Sequence, residues 1–179
     1  MKMKRIMGFF LALVMFMGYL PLNPIASYAN GDVKIDKTNF EDDEFRKYVK
    51  DNFDTNPRDG YLSQTELDKV EMISINNHSV SSLKGIEHFK NLTTLDCSGN
   101  NLTSLDLSKN TNLGILTCSG NNLKSLDLSK NIKLSQLDCR VNNLTSLDLS
   151  KNTNLEILDC NQNNLTSLDL SKNTNLEIL

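Results

Sequence analysis

Four cysteines are the residues of this chain whose chemistry attracts attention first, because they are evenly spaced. Each follows the preceding one by 21 residues: Cys97, Cys118, Cys139 and Cys160. In an oxidising compartment such a set could form disulfides, and thiolates could also bind a metal ion. Both require side chains that converge on a point, whereas even spacing in a stacked coil sets the thiols in parallel. The pattern favours a ladder of buried, unpaired thiols that pack as small apolar groups, with disulfides as the alternative.

An acidic loop, DTNPRDGYLSQTE (54–66), is the second candidate for chemistry. The spacing of aromatic and apolar residues predicts a helix over 39–53, started by Asn39 or Asp42, and a second short helix from Ser63 to about Val70. Helix, acidic loop and helix together are the arrangement of a calcium-binding loop. A helix–loop–helix lid over the end of an apolar core is the favoured alternative, and it holds with or without an ion.

The loop fits the calcium pattern only in its second half. With Glu66 at position 12, Gly60 occupies the turn position 6 and the carbonyl of Tyr61 falls at position 7. The first half carries one extra residue around Pro57 and Arg58, so its acidic and amide side chains come one position early. A bulged loop would supply these candidate calcium ligands: Asp54, Asn56, Asp59, Tyr61 and Glu66.

The elements that must position these residues come from a repeat. Four near-identical units run from 92 to 175, a fifth begins at 176–179, and a 22-residue variant precedes them; their bounds are 70–91, 92–112, 113–133, 134–154, 155–175 and 176–179. Within a unit, Leu95 and Cys97 alternate onto one face of a short strand, and Asn100 turns the chain. One unit cannot bury its leucines alone, so stacked units must share a continuous core.

These units resemble the leucine-rich-repeat family. The pattern LxxLxCxxNxLxxLDLxxNxx is similar to the nested 21-residue class, sometimes called IRREKO. The 22-residue unit with Leu83-Lys84-Gly85-Ile86, and the EF-hand-like segment before it, are similar to the repeats and N-terminal cap of internalin-type surface proteins of Gram-positive bacteria. The resemblance implies an α/β solenoid: a right-handed coil with a parallel β-sheet on its concave side and a small helical N-terminal cap at 30–69.

Differences between the units point to a binding surface. The segment LTSLDLSKNTN barely changes, whereas the positions around the first strand vary. In a solenoid these side chains project from the concave sheet, where such proteins bind their partners. Neutral drift at solvent-exposed positions is the alternative, and the lack of aromatic residues after Phe89 favours it. The candidate binding residues are Thr94, Asp96, Ser98, Ile115, Thr117, Ser119, Gln136, Asp138, Arg140, Ile157, Asp159 and Asn161.

The N-terminus has the pattern of a targeting segment. Residues 1–29 have a basic start, an apolar run and small residues before a cut after Ala29, which is the pattern of a secretory signal peptide. Loss of Lys2, Lys4 and Arg5 would take the formal net charge from −3 to −6, which argues against nucleic-acid binding. No transmembrane segment is expected after cleavage.

The sequence therefore predicts a secreted or cell-surface binding module of a Gram-positive-type bacterium, possessing no catalytic constellation. With no Trp and only two His among 179 residues, a Ser-His-Asp hydrolase or a His-rich metal centre has little to draw on. The expected partner is a protein or a cell-surface polymer, and the protein is expected to be a monomer. Calcium, in the acidic loop, is the one cofactor that the sequence suggests. The alternatives are a structural spacer, or the N-terminal part of a larger protein whose activity lies beyond Leu179.

Overall fold

The helix that precedes the repeats is fixed by its capping residue. The structure of the protein, a computed structural model, describes residues 31–55 and 57–178. In it, α1 (Asp43–Asn52) follows Asp42, whose Oδ1 accepts the backbone N–H groups of Glu44 (2.9 Å) and Phe45 (3.0 Å). Of the two predicted start residues, Asp42 is therefore the N-cap. The predicted signal peptide, residues 1–29, lies outside the described residues.

A two-stranded ribbon and a second short helix surround the acidic loop. β1 (Val33–Lys34) pairs antiparallel with β2 (Tyr61–Leu62), which closes the segment between them. α2 (Gln64–Asp68) starts with a capping box, because the Ser63 side chain accepts the N–H of Glu66 while the Glu66 carboxylate accepts the N–H of Ser63. The helix is shorter than the predicted span to Val70, since its last turn closes at Lys69.

The repeats form one parallel sheet, with one three-residue strand from each unit. Its strands follow in chain order: β3 (Met72–Ser74), β4 (Thr94–Asp96), β5 (Ile115–Thr117), β6 (Gln136–Asp138) and β7 (Ile157–Asp159). From β4 onward every pairing joins residues 21 apart, and a bridge between Ile157 and Ile178 continues the series. The structure is a parallel β-solenoid of about four turns, which confirms the predicted leucine-rich-repeat coil.

The core is a stack of leucines closed by two columns of asparagine. The central residue of each strand is buried, as Leu95, Leu116 and Leu137 show, and the leucines of the return segments are buried beneath them. Because neighbouring coils leave backbone groups facing the interior, these groups need partners away from water. Buried Asn side chains supply those partners on both sides of the coil, at Asn100, Asn121, Asn142, Asn110, Asn131, Asn152 and Asn173.

Aromatic rings join the helical segment to the first repeat. Phe40 and Phe45 are fully buried, and the ring centroid of Phe40 lies 6.4 Å from that of Phe89 and 5.8 Å from that of His88. Phe53, just after α1, lies 5.3 Å from Phe89. The aromatic residues of this part of the chain are therefore used for packing. Within residues 31–55 and 57–178, no helix combines the length and the hydropathy needed to cross a bilayer.

Candidate functional site

The outward face of the sheet brings the predicted binding residues together in three rows. Strand residues before and after each buried leucine project away from the core, and parallel pairing sets equivalent residues side by side, about 4.8 Å apart. We define the apolar row as Met72, Thr94, Ile115, Gln136, Ile157 and Ile178, and the acidic row as Ser74, Asp96, Thr117, Asp138 and Asp159. The third row consists of the residue after each cysteine: Ser98, Ser119, Arg140 and Asn161.

At one end of the acidic row, Asp96 is held by its own surroundings. Its Oδ2 accepts the side-chain amide of Asn76 at 2.7 Å, and its Oδ1 accepts the backbone N–H and the hydroxyl of Ser98 at 3.0 and 2.5 Å. Burial raises the pKa of Asp96, but the hydrogen bonds from Ser98 and Asn76 outweigh it and leave the pKa below its ordinary value. Asp96 is thus a fixed carboxylate.

At the other end, Arg140 bridges two strands. Its Nε lies 3.4 Å from Oδ2 of Asp138 in its own unit, and its Nη1 lies 3.3 Å from Oδ2 of Asp159 in the next. Burial raises the pKa of Asp138, Arg140 lowers it, and the carboxylates of Asp159 and Asp96 raise it further, so that the net shift is upward. Arg140 therefore does not offset the combined effect of burial and the neighbouring carboxylates on the pKa of Asp138.

The apolar row lies beside the acidic row and exposes aliphatic surface. Met72 is 62% exposed and Ile178 is 57% exposed, while Ile115 and Ile157 are half-buried between them. Isolated exposed apolar residues are ordinary, and Thr94 and Gln136 interrupt this row. The row therefore supplies separate aliphatic contacts along one face of the sheet. Val141, which follows Arg140 of the third row, is 45% exposed in a left-handed conformation.

Four participants in this face were missed by sequence reasoning, among them Ser74 of the acidic row. Met72 and Ile178 belong to the 22-residue variant and the partial unit, and alignment on the strand leucine would have placed both in the apolar row. Tyr48 comes from α1, and its hydroxyl accepts the backbone N–H of Ser74 at 3.2 Å. That contact joins residues 26 apart and leaves no trace in the sequence pattern.

The cysteines lie behind the face and take no part in it. All four thiols are free: Cys97, Cys118 and Cys139 are buried, and Cys160 is half-buried. Burial raises the pKa of Cys97 and of Cys139 to about 12. A thiol with such a pKa is protonated at neutral pH and is a poor nucleophile or metal ligand. The structure therefore has the predicted unpaired ladder, with neither disulfides nor a reactive thiol in it.

In the acidic loop, carboxylates are used to hold the backbone. The Asp54 side chain, only 1% exposed, accepts the N–H groups of Asp59 (3.1 Å) and Gly60 (3.0 Å). Glu66 accepts the N–H of Thr55 at 2.8 Å in addition to its capping-box bonds. The Asp59 side chain accepts the N–H of Tyr61 at 2.9 Å. Asn56 lies outside the described residues. Among the residues described, no three His, Cys, Asp or Glu side chains are grouped as metal ligands.

Calcium binding by this loop stays a prediction, which calorimetric titration of the full chain tests. If it holds, wild-type protein gives binding heat at or below millimolar calcium, and Glu66→Gln gives none because it loses the bidentate ligand. Glu71→Gln, an exposed acidic residue outside the loop, serves as the matched control and should titrate like the wild type. Absence of heat from wild-type protein at millimolar calcium contradicts the prediction.

Comparison with known proteins finds that the solenoid is similar to those of internalins. The solved functional domain of InlJ from Listeria monocytogenes, which includes a cysteine ladder, matches with a TM-score of 0.75 and 39% identity over 81% of this chain and 32% of that one. Internalin J of L. monocytogenes serotype 4b (strain F2365) is 41% identical over 72 residues, or 40% of this chain and 8% of its own length. InlF of strain 4b F2365 matches with a TM-score of 0.60 and 22% identity over 80% of this chain and 50% of that one, which shows the fold alone. No family model matches the chain.

The matched region is a small part of these relatives. The chain spans about a third of the InlJ domain and less than a tenth of internalin J.

Proposed function

Starting from a leucine-rich-repeat solenoid similar to that of internalin J, we propose that this chain is a non-catalytic binding module that recognises a protein or cell-surface polymer through the outward face of its sheet. One observation carries the proposal. Side chains vary most from unit to unit in and next to the strands, whereas the return segments of 92–175 differ only at Lys124, Ile132 and Lys133. The leucines and asparagines that hold the coil stay the same. A fixed scaffold with a variable surface is how repeat proteins adapt to partners.

Export and presentation outside the cell complete the proposal. Residues 1–29 have the features of a signal peptide. In addition, the internalin-type proteins that the chain resembles are proteins of the bacterial surface. The protein acts as a monomer, with the helical segment 30–69 covering the first coil of the core. Support for that covering role comes from Phe40 and Phe45, which are buried in the same apolar cluster as the leucines of the first units.

A triple substitution of the face tests the binding role. Replacing Asp138, Arg140 and Asp159 by alanine should weaken binding to host-cell or bacterial surface extracts by about tenfold to a hundredfold, since such clustered contacts contribute about 1–3 kcal/mol. Binding is measured by retention of extract components on immobilised protein. The matched control replaces Asp127, Lys130 and Asp148, which are exposed on the return segments and carry the same charges. Equal binding by both variants, or no retention by wild-type protein, contradicts the proposal.

A structural spacer is the second candidate. It is favoured by the absence of Phe, Tyr and Trp after residue 89, because aromatic residues dominate most protein-binding surfaces. A spacer predicts that neither triple variant changes any binding and that only the number of units matters. The same retention experiment therefore separates the two functions.

A further inference from the structure

We propose that the partner of this face is a protein segment whose lysine or arginine side chain enters the gap in the acidic row above Thr117, between Asp96 and Asp138. Aliphatic side chains of the same segment would then lie on the adjoining apolar row. This inference rests on the proposed function, because it specifies the chemistry of the partner for the same face. The reasoning begins with what already fills the neighbouring gap.

Arg140 shows how this sheet binds a cation. Its guanidinium spans Asp138 and Asp159 on adjacent strands, with nitrogen–oxygen distances of 3.4 and 3.3 Å. Two carboxylates one strand apart, about 4.8 Å, thus accept one cationic side chain from above. The chain itself therefore supplies an example of the contact that we assign to the partner.

The next gap is also bounded by two carboxylates. Asp138 already contacts Arg140, whereas no basic side chain among the described residues contacts Asp96. Asp96 and Asp138 lie two strands apart, about 10 Å, with the short side chain of Thr117 between them. In that unit the residue equivalent to Arg140 is Ser119, which is too short to reach either carboxylate. A carboxylate has about four acceptor positions, and the hydrogen bonds described above use three on Asp96. Acceptor capacity therefore remains on Asp96, the carboxylate of the gap that Arg140 does not contact.

Aliphatic surface beside the gap defines the rest of the partner. Ile115 projects from the same strand as Thr117, on the same face, and Ile157 lies two strands away in the apolar row. The methylene stem of a lysine or arginine packs against such side chains while its charged end reaches the carboxylates. Charge complementarity therefore favours a partner segment in which basic residues alternate with aliphatic residues, over an acidic or uncharged one.

The test places an arginine of the chain's own in the gap. Ser119→Arg places an arginine at the position that Arg140 occupies in the next unit, so the backbone at this position accommodates an arginine. The new side chain should reach the carboxylate of Asp138. The matched control is Ser125→Arg, an exposed serine on the return segment of the same unit, which adds the same charge elsewhere. The probe is a short peptide of alternating isoleucine and arginine, with the isoleucine–glutamine peptide as its uncharged counterpart, and binding is measured by calorimetry on the full chain at low and high salt.

We expect the arginine peptide to bind the wild type at least tenfold more tightly than the glutamine peptide does. Ser119→Arg should bind the arginine peptide about tenfold more weakly than the wild type. Ser125→Arg should stay within twofold of wild type, because it leaves the gap open. Equal loss in both variants would mean attraction to overall charge and would overturn the inference, as would equal binding of both peptides. A second substitution, Asp96→Asn, should also weaken the arginine peptide selectively.

The surface extracts of the previous experiment keep this inference distinct from the proposed function. If components retained by the wild type are lost from the Asp138, Arg140 and Asp159 triple variant but are unaffected by Ser119→Arg, the face binds a partner and the cationic contact is wrong. If the wild type retains nothing, the proposed function itself fails. Retention that is lost in both the triple variant and Ser119→Arg, but kept in Ser125→Arg, supports both proposals.

Discussion

Replacing Asn142 by alanine is expected to lower the free energy of unfolding by about 3–5 kcal/mol, a large part of the stability of a domain this size. Its Oδ1 accepts the N–H of Leu123 at 3.0 Å, and its Nδ2 donates to the carbonyl oxygens of Cys118 (3.0 Å) and Cys139 (3.1 Å). Asn142 is only 7% exposed, so water cannot replace it at these groups. Each buried polar group left without a partner costs about 1–3 kcal/mol.

The neighbouring residue provides the control for this substitution. Asn143 follows Asn142 directly, is chemically identical and is exposed to solvent. Asn143→Ala should change the free energy of unfolding by no more than about 0.5 kcal/mol, as surface substitutions ordinarily do. Urea or guanidinium unfolding followed by circular dichroism measures both variants. A loss below about 1 kcal/mol for Asn142→Ala, or equal losses for the two, would show that the asparagine column does not hold the coils together.

Much of this scaffold could be predicted because the repeat carries its own register. A spacing of 21 residues between cysteines fixes which residues lie side by side, and the observed strand pairings follow it. The role of Asn100 in satisfying turn and neighbouring-coil backbone was also predictable, and its side chain does donate to the carbonyl oxygens of Ile75 and Cys97. In both cases the repeat unit contains the information, because the partner of each residue occupies a fixed position in the same or the neighbouring unit.

The second asparagine column shows where a single unit is insufficient. Asn131 and its equivalents close each unit, and its Nδ2 donates back to the carbonyl oxygens of Leu107 (3.1 Å) and Asn110 (3.0 Å) in the unit before. No property of the motif SKN distinguishes this buried role from that of an exposed turn residue. The Oδ1 atom of each member has no hydrogen-bond partner among the described residues, at Asn110, Asn131, Asn152 and Asn173.

The candidate site was predictable in outline but not in its contacts. Alternation along each strand placed all twelve candidate residues on one face, yet the bridge from Arg140 to Asp159 depends on how a long side chain crosses between strands. Likewise, Asp42 both caps α1 and accepts the N–H and hydroxyl of Ser81 at 2.8 Å, a contact between residues 39 apart. Burial raises the pKa of Asp42, but its hydrogen bonds from Ser81 and the helix outweigh it and lower the pKa.

At Gly85 the first repeat closely approaches the segment before α1. Its φ of 107° lies in the region that favours glycine, and it precedes the short 3-10 helix Ile86–His88. An added Cβ would clash with Cδ1 of Phe40 and would lie 2.7 Å from the carbonyl oxygen of Asn39. Neither atom can move away cheaply, because Phe40 is fully buried and the oxygen belongs to the backbone.

Gly85→Ala is therefore expected to destabilise the protein by about 2–5 kcal/mol. Left-handed backbone costs a residue other than glycine about 1–2 kcal/mol, and overpacking of a filled core adds about 1–3 kcal/mol. The control is Gly114→Ala, where the nearest atom to an added Cβ is the carbonyl oxygen of Thr93 at 3.7 Å, an ordinary contact. Its free energy of unfolding should stay within about 0.5 kcal/mol of the wild type.

The regions that Gly85→Ala destabilises also test whether the helical segment before the repeats protects the first coil. If the helical segment protects the end of the leucine core, Gly85→Ala should separate Phe40 from Phe89 and expose the first coil, since each repeat is stabilised mainly by its neighbours. Hydrogen exchange should then accelerate in α1 and β3 more than in β6 and β7, where several coils intervene. Uniform acceleration along the sheet would instead mean that the solenoid unfolds as one unit. Unchanged exchange in β3 after loss of α1 protection would show that the first coil needs no lid.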